Sequence, residues 1–329
     1  MNQLAALQLI ALAGVSFALL LGVFASYWAP KVVSATEGWA PERRHRALLL
    51  MSLAPLVVAA FALLSALFPS LLALVWPGFD HCALHDDVHV HLCLVHLPRQ
   101  AGNAASWLVL LLVLSWTSWK FVRMATQLYR ASRCAARLKA QGPIDTELGA
   151  TVLPTETPIC LLAGLARPTL LLSQGLLAGM DPGQVAILLH HERAHAARHD
   201  ILSRLLARLG TVFMWPSPRS RLLAALELAA EQCCDEAAGS RVGDRLQVAA
   251  TILQVERLLQ AAGPRLAPLA AAFGGDTVPQ RVSALLEARK HSGNLAGLIA
   301  GLIFTLCAIL ASSGPLHHLT ESLLGALTH

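Results

Sequence analysis

The chain has 329 residues, of which 55% are hydrophobic and only 14% are charged, and its mean hydropathy is +0.57. This composition excludes an ordinary soluble domain and indicates a membrane protein. The net charge of +5 does not require a nucleic-acid partner, because membrane topology and contact with anionic lipid account for it.

Four apolar stretches are long enough to cross about 30 Å of hydrocarbon as helices. They cover residues 4–28, 47–76, 104–121 and 295–313. The second contains Pro55 and Pro69, which neighbouring helices tolerate within a bilayer. No basic residue precedes the first stretch, so we expect a retained span rather than a cleaved signal peptide. The pattern predicts a mainly α membrane protein with four transmembrane helices.

The distribution of Lys and Arg predicts the orientation of these helices. The connection between the first two spans carries four basic residues, and the next connection carries one: Lys31, Arg43, Arg44 and Arg46 against Arg99. By the positive-inside rule, we expect a multi-pass protein of the plasma (inner) membrane with both termini outside and the segment before the fourth span in the cytoplasm.

This orientation divides the chain into three parts. They are three transmembrane helices at 1–121 with an extracytoplasmic loop at 78–103, a cytoplasmic domain at 122–294, and a fourth transmembrane helix with a short tail at 295–329. The cytoplasmic domain is predicted to be α-rich, with a small β-hairpin. Its predicted strands are 159–163 and 169–172, and its predicted helices are 182–210, 218–239, 245–262 and 278–290.

The first of these helices carries the segment "HHERAHAARHD". His191 and His195 are four residues apart, so both imidazoles project from one face and can share a metal ion. H-E-x-x-H on a helix is typical of zinc peptidases, in which the glutamate, here Glu192, is the general base that activates the attacking water. The alternative is a polar helix surface that binds no metal.

A catalytic zinc needs a third protein ligand. Ile201 stands where a metzincin-like site would have a histidine, so that ligand must come from elsewhere. The second helix offers Glu227, Glu231 and Asp235 at i, i+4 and i+8 on one face, which could also be a solvated acidic stripe. Spacing alone does not choose between Glu227 and Glu231.

"HERAH" followed by "EQCCDEAA", with three spans before and one after, resembles the BlaR/MecR-type antirepressor integral-membrane zinc metallopeptidases. Their pattern is H-E-x-x-H followed by E-x-x-x-D. The resemblance implies that His191, His195 and Glu231 bind Zn²⁺ and that Glu192 is catalytic. It also implies that Asp235 orients a zinc-bound imidazole through the other ring nitrogen.

The resemblance covers most of residues 153–289, including "LAGLARPTLLLSQGLL" and "AAFGGDTVPQRVSALLEA". It implies an enzyme that cleaves a cytoplasmic protein, such as a transcriptional repressor, in response to an external signal. Family members known for antibiotic sensing carry a large penicillin-binding-like domain after the fourth span, whereas this sequence stops at His329, so β-lactam sensing is not expected. Two alternatives stay open: membrane-protein quality control of the HtpX/Ste24 type, and a non-proteolytic metal sensor. We expect no direct contact with nucleic acid, and the oligomeric state is open.

The extracytoplasmic loop "PGFDHCALHDDVHVHLCLVHLPRQAG" is the second candidate site. Its candidate ligands are His81, Cys82, His85, His89, His91, Cys93 and His96. His89, His91 and Cys93 alternate with apolar residues, so an extended segment would place them on one face. Imidazole and thiolate favour zinc or copper, which makes a second metal ion one hypothesis for the signal. A Cys82–Cys93 disulfide and simply solvated histidines are the alternatives.

Overall fold

A computed structural model describes residues 2–76, 78, 103–165, 168–261, 277–287 and 293–328. The extracytoplasmic metal loop predicted from the sequence lies outside the described residues. Its seven candidate ligands are His81, Cys82, His85, His89, His91, Cys93 and His96, and the alternative Cys82–Cys93 disulfide also lies outside them. The second metal site and the disulfide stay predictions.

Three helices are long and apolar enough to cross a membrane, as the sequence predicts for its first three spans. They are α1 (Asn2–Ala35), α2 (Pro41–Val75) and α3 (Ala104–Lys139). Pro55 and Pro69 both lie inside α2, which continues through them. The protein is therefore mostly helical and carries three candidate membrane spans.

The fourth predicted span is not a single straight helix. The chain forms α10 (Leu295–Ala311) and α11 (Ser313–Thr328), and the two are bent by 72° at a short break. The 17 residues of α10 rise only about 26 Å, which is short of the hydrocarbon thickness. Pro315 explains the break, because its ring would clash with the carbonyl of Ala311 in a continuous helix. The pair makes a fourth span only if both pieces are counted as one broken span.

The segment between α3 and α10 contains a four-stranded sheet. Its strands are β1 (Ile144–Asp145), β2 (Ala150–Leu153), β3 (Cys160–Ala163) and β4 (Thr169–Ser173), in the order β1-β2-β4-β3. The predicted hairpin is confirmed, since β3 pairs antiparallel with β4. The sequence analysis missed β2, which pairs parallel with β4. Strand β3 is consequently at one edge of the sheet.

Six helices follow among the described residues of this segment: α4 (Gln174–Ala178), α5 (Pro182–Arg198), α6 (Asp200–Gly210), α7 (Pro216–Val242), α8 (Arg245–Ala261) and α9 (Val278–Leu286). The prediction of one helix over 182–210 was wrong, because His199 adopts a left-handed conformation with φ 54° and separates α5 from α6. The predicted end of the next helix at Gly239 was also wrong. The end lies at Gly243, whose φ of 79° suits a glycine that caps a helix.

The helices of this segment pack directly against the first two candidate spans. Ala25 of α1 and Leu48 of α2 share one buried cluster with Ala207 of α6 and Leu226 of α7. The contact between α6 and α2 is so close that a Cβ on Gly210 would lie 2.2 Å from the backbone oxygen of Ser52. The sheet packs on α5 through a second buried cluster. Helix α5 is thereby held between the sheet and α7.

Candidate metal centre

Three potential ligands from two helices converge on one point. His191 and His195 lie on α5, and Glu231 lies on α7. The two Nε2 atoms are 3.1 Å apart, and each lies 3.5 Å from one carboxylate oxygen of Glu231. A tetrahedral site with bonds of about 2.0–2.1 Å has ligand atoms about 3.3 Å apart. All three side chains are buried, and they form a group that could hold a metal ion.

The opposite edges of the two imidazoles are held by carboxylates. Asp235 lies 2.9 Å from Nδ1 of His191, and Asp200 lies 2.7 Å from Nδ1 of His195. A carboxylate accepts hydrogen bonds, so both Nδ1 atoms carry protons and a neutral ring then presents a lone pair at Nε2. Two lone pairs and a carboxylate that face one another at this distance need a cation between them. The donor set therefore fits a metal ion.

The electrostatics of the cluster also favour positive charge at this point. Burial lowers the pKa of His191 and of His195, but the hydrogen bonds with Asp235 and Asp200 and the interactions of both rings with Glu231 together outweigh it and raise both values. Burial raises the pKa of Glu231, yet its hydrogen bonds with the two histidines hold that pKa well below its usual range. The raised histidine pKa values and the lowered pKa of Glu231 both favour positive charge at the position that a metal ion would take.

Glu192 faces the sheet from the same turn of α5. Its Oε1 accepts a hydrogen bond from the thiol of Cys160 on β3, at a distance of 3.4 Å. Burial raises the pKa of Cys160 well above its usual range, so the thiol stays protonated and can donate. The other oxygen, Oε2, is buried and has no hydrogen-bond partner among the described residues. One carboxylate oxygen of Glu192 is thus oriented by β3 and the other can accept a proton.

The structure separates the two glutamates between which spacing alone did not choose. Glu227 is half-buried and pairs with Arg204 at 3.4 Å, outside the ligand group. Glu231 lies inside that group, accepts a hydrogen bond from Arg204 at 3.1 Å and forms an ion pair with Arg281 at 3.2 Å. Asp235 receives two hydrogen bonds from Arg281, of 2.6 and 2.8 Å. The two guanidinium groups balance the buried carboxylates.

Asp200 and Arg281 were missed by the sequence analysis. In an unbroken helix Asp200 would point about 140° away from His195, and only the left-handed turn at His199 brings it to Nδ1. Arg281 comes from α9, which is distant in sequence, and no local pattern marks it. These two partners depend on chain reversals that residue spacing does not reveal.

Cys234 contacts Asp200 at the carboxylate oxygen that also faces His195, with its sulfur 3.6 Å from Oδ2. A second group of residues that could bind a metal ion consists of His195, Asp200 and Cys234. Burial raises the pKa of Cys234 to about 11, so the thiol is protonated and donates to Asp200. The short contact between Asp200 and Nδ1 of His195 is a hydrogen bond. We therefore expect this group to orient the imidazole of His195 rather than to bind a second metal ion.

The sequence that contains this candidate centre matches a known peptidase family. The family model described as BlaR1 peptidase M56 matches residues 102–285, which is more than half of the chain. The chain belongs to the M56 peptidase family. No curated protein and no solved structure matches it significantly. The matched range contains all the residues of the candidate centre from Cys160 to Arg281, so the M56 assignment and the metal-binding geometry describe the same part of this membrane metallopeptidase.

Proposed function

We propose that this M56 peptidase is a zinc endopeptidase. The observation that carries the proposal is the convergence of His191, His195 and Glu231 beside a buried glutamate, Glu192, with one unpartnered oxygen. Two imidazoles and one carboxylate form a donor set that catalytic zinc uses, with a fourth position left for water or substrate. When bound there, zinc polarises the scissile carbonyl and makes water a stronger nucleophile at neutral pH.

Glu192 is the proton carrier of the reaction. Its Oε2 takes a proton from the attacking water, and the same carboxyl then gives a proton to the leaving amine. The thiol of Cys160 fixes the other oxygen, so the carboxylate keeps one orientation through both transfers. Burial of Glu192, which is 5% exposed, shields these transfers from bulk water.

The substrate is an extended protein segment that adds to the edge of β3 at which no other described strand pairs. Ser173 donates its backbone N–H to the carbonyl of Ile159, so Ile159 faces β4. Because backbone groups alternate along an antiparallel strand, Cys160 and Leu162 direct their N–H and C=O groups to the outer edge. A peptide paired there as an extra strand would pass next to Glu192, since the Cys160 side chain touches that carboxylate.

The active site faces the cytoplasm in this proposal, and the enzyme acts as an antirepressor. The basic connection between α1 and α2 supports this orientation. The resemblance to BlaR/MecR-type peptidases supports a transcriptional repressor as substrate and an external signal as trigger. Quality control of membrane proteins is the second candidate, favoured by the buried cluster that joins the peptidase helices to α1 and α2 and so keeps the site close to the bilayer.

Comparison of protein N-termini by mass spectrometry tests both candidates. Cells of the native host would carry the wild-type enzyme, Glu192→Gln, or the control Glu227→Gln, which alters a carboxylate outside the ligand group. We expect new N-termini with the wild type and the control but not with Glu192→Gln. Cleavage confined to a soluble DNA-binding protein supports the antirepressor, and cleavage of many membrane proteins supports quality control. Identical N-termini in all three strains would overturn a proteolytic function.

A further inference from the structure

We propose that Asp200 is a positioning residue for the ligand His195, and that the first turns of α2 hold Asp200 in place through His45 and Glu42. The second candidate span, α2, would then be joined to the metal centre by direct side-chain contact. The identity of the metal rests on the proposed function, whereas the contacts themselves do not.

Asp200 meets the requirements for orienting a ligand. It is 2% exposed, and its Oδ2 accepts the Nδ1 proton of His195 at 2.7 Å. This bond fixes the tautomer that presents Nε2 to a metal and sets the rotation of the ring. The chain adopts a left-handed residue at His199, which is strained for a side chain with a Cβ, to bring Asp200 there.

The second oxygen of Asp200 faces α2. Nε2 of His45 lies 3.9 Å from Oδ1, and Nε of Arg198 lies 3.4 Å from the same atom. Oδ1 is buried and accepts no hydrogen bond among the described residues. Arg198 therefore balances the charge on this oxygen at longer range, and His45 of α2 lies beside the same oxygen.

Arg198 is itself held by α2. Its Nη1 donates to Oε2 of Glu42, in the first turn of that helix. Glu42 thereby sets the position of Arg198, and Arg198 sets part of the field around Asp200. Two separate contacts, one from His45 and one from Glu42 through Arg198, lead from α2 to the same carboxylate.

The packing makes this connection stiff. Asp200 is the first residue of α6, and α6 ends at Gly210, where a Cβ would lie 2.2 Å from the Ser52 oxygen of α2. The two helices therefore cannot slide past each other without disturbing close backbone contacts. A shift of α2 along its axis would move His45 and Glu42 relative to Asp200 and would change how tightly His195 is held.

Zinc affinity of the full-length protein in detergent tests the proposal. The dissociation constant would be measured by competition with a fluorescent chelator for the wild type, Asp200→Ala, Asp200→Asn, His45→Ala and Glu42→Gln. Arg43→Ala is the matched control, because Arg43 lies in the same turn of α2 but donates to the exposed carbonyl of Gly293. The absorption spectrum of the Co²⁺-substituted protein would report the ligand geometry directly.

We expect Asp200→Ala to weaken zinc binding by about 10-fold to 100-fold, as for other residues that orient metal-bound histidines. Asp200→Asn should lower the zinc affinity less, because its amide oxygen can still accept the hydrogen bond from Nδ1. This variant replaces Asp200→Ala in the test if the alanine variant does not fold. His45→Ala and Glu42→Gln should weaken binding by smaller factors and shift the Co²⁺ bands, while Arg43→Ala should do neither. His45→Ala should add little in the Asp200→Ala background, because both act through one carboxylate.

Unchanged zinc affinity and Co²⁺ spectra in the folded Asp200 variants would overturn the positioning role. Two results would overturn the role of α2 while leaving that of Asp200. The first is a wild-type zinc affinity and Co²⁺ spectrum for both His45→Ala and Glu42→Gln. The second is additive losses of zinc affinity for His45→Ala and Asp200→Ala. Metal binding, not cleavage, is measured. An enzyme that shows these metal effects but cleaves nothing would contradict only the proposed function.

Discussion

Replacing Glu231 with glutamine should remove most of the zinc affinity, whereas the same change at Glu227 should leave it unchanged. Structural zinc sites bind with about 10–16 kcal/mol shared among four ligands, or about 3 kcal/mol for each. Because 1.4 kcal/mol corresponds to a factor of ten, loss of one ligand weakens binding by about 100-fold.

The surroundings of Glu231 make this figure a lower bound. Arg204 and Arg281 form ion pairs with the carboxylate at 3.1 and 3.2 Å. In Glu231→Gln both cations would stay beside the metal position without the negative charge that balances them, which disfavours a divalent ion further. Glu227 lies on the same face of α7 and pairs with Arg204 outside the ligand group, so Glu227→Gln removes a comparable charge without removing a ligand.

Equilibrium dialysis against buffered zinc, with metal quantified by mass spectrometry, would give both dissociation constants. Circular dichroism of each variant would verify that the helices are intact. Equal zinc affinity for Glu231→Gln and the wild type would refute the assignment of Glu231 as a ligand. Equal losses in the two variants would refute the geometric distinction between them.

Three further predictions concern the supporting carboxylate, the pH dependence and the orientation. Asp235→Asn should weaken zinc binding by about 10-fold to 100-fold, because the histidine beside it loses its charged partner; chelator competition checks this, and an unchanged affinity contradicts it. In the metal-free protein, burial lowers the pKa values of His191 and His195, but hydrogen bonds raise them above the ordinary 6.5. Their contribution to stability is present below pH 6.5 and is lost as the pH rises through the raised values, so the metal-free melting temperature should fall over that range while zinc affinity increases. A metal-free melting temperature that rises there contradicts the assigned partners. Alkaline phosphatase fused after residue 329 should be active outside the cell membrane, and a fluorescent protein fused there that matures inside would contradict the orientation.

Local spacing was sufficient to predict the parts of the candidate centre that lie on single helices. His191, Glu192 and His195 occupy one turn of α5, and the period of a helix fixes their relative directions whatever surrounds them. The choice of Glu231 over Glu227 needed the crossing of α5 and α7, which is a tertiary feature. The family resemblance indicated Glu231 before the geometry did.

The features that the sequence did not predict have separate physical causes. Asp200 reaches His195 only because the chain reverses at His199, a residue type that gives no strong signal for a left-handed turn. Strands β2 and β4 are neighbours in the sheet although β3 lies between them in the sequence. Such pairing is decided by packing rather than by local pattern. The broken fourth span likewise follows from Pro315, which the hydrophobic pattern of residues 295–313 did not include.

The most direct test of the account is a paired measurement on purified wild-type protein and Glu192→Gln in detergent. Zinc content would be quantified by mass spectrometry, and cleavage would be followed with fluorescently labelled casein as an unfolded substrate. We predict one zinc per chain in both proteins and a cleavage rate at least about 100-fold lower for Glu192→Gln, as expected for loss of a general base. Equal cleavage rates in the two proteins, or wild-type protein that binds no zinc, would contradict the account.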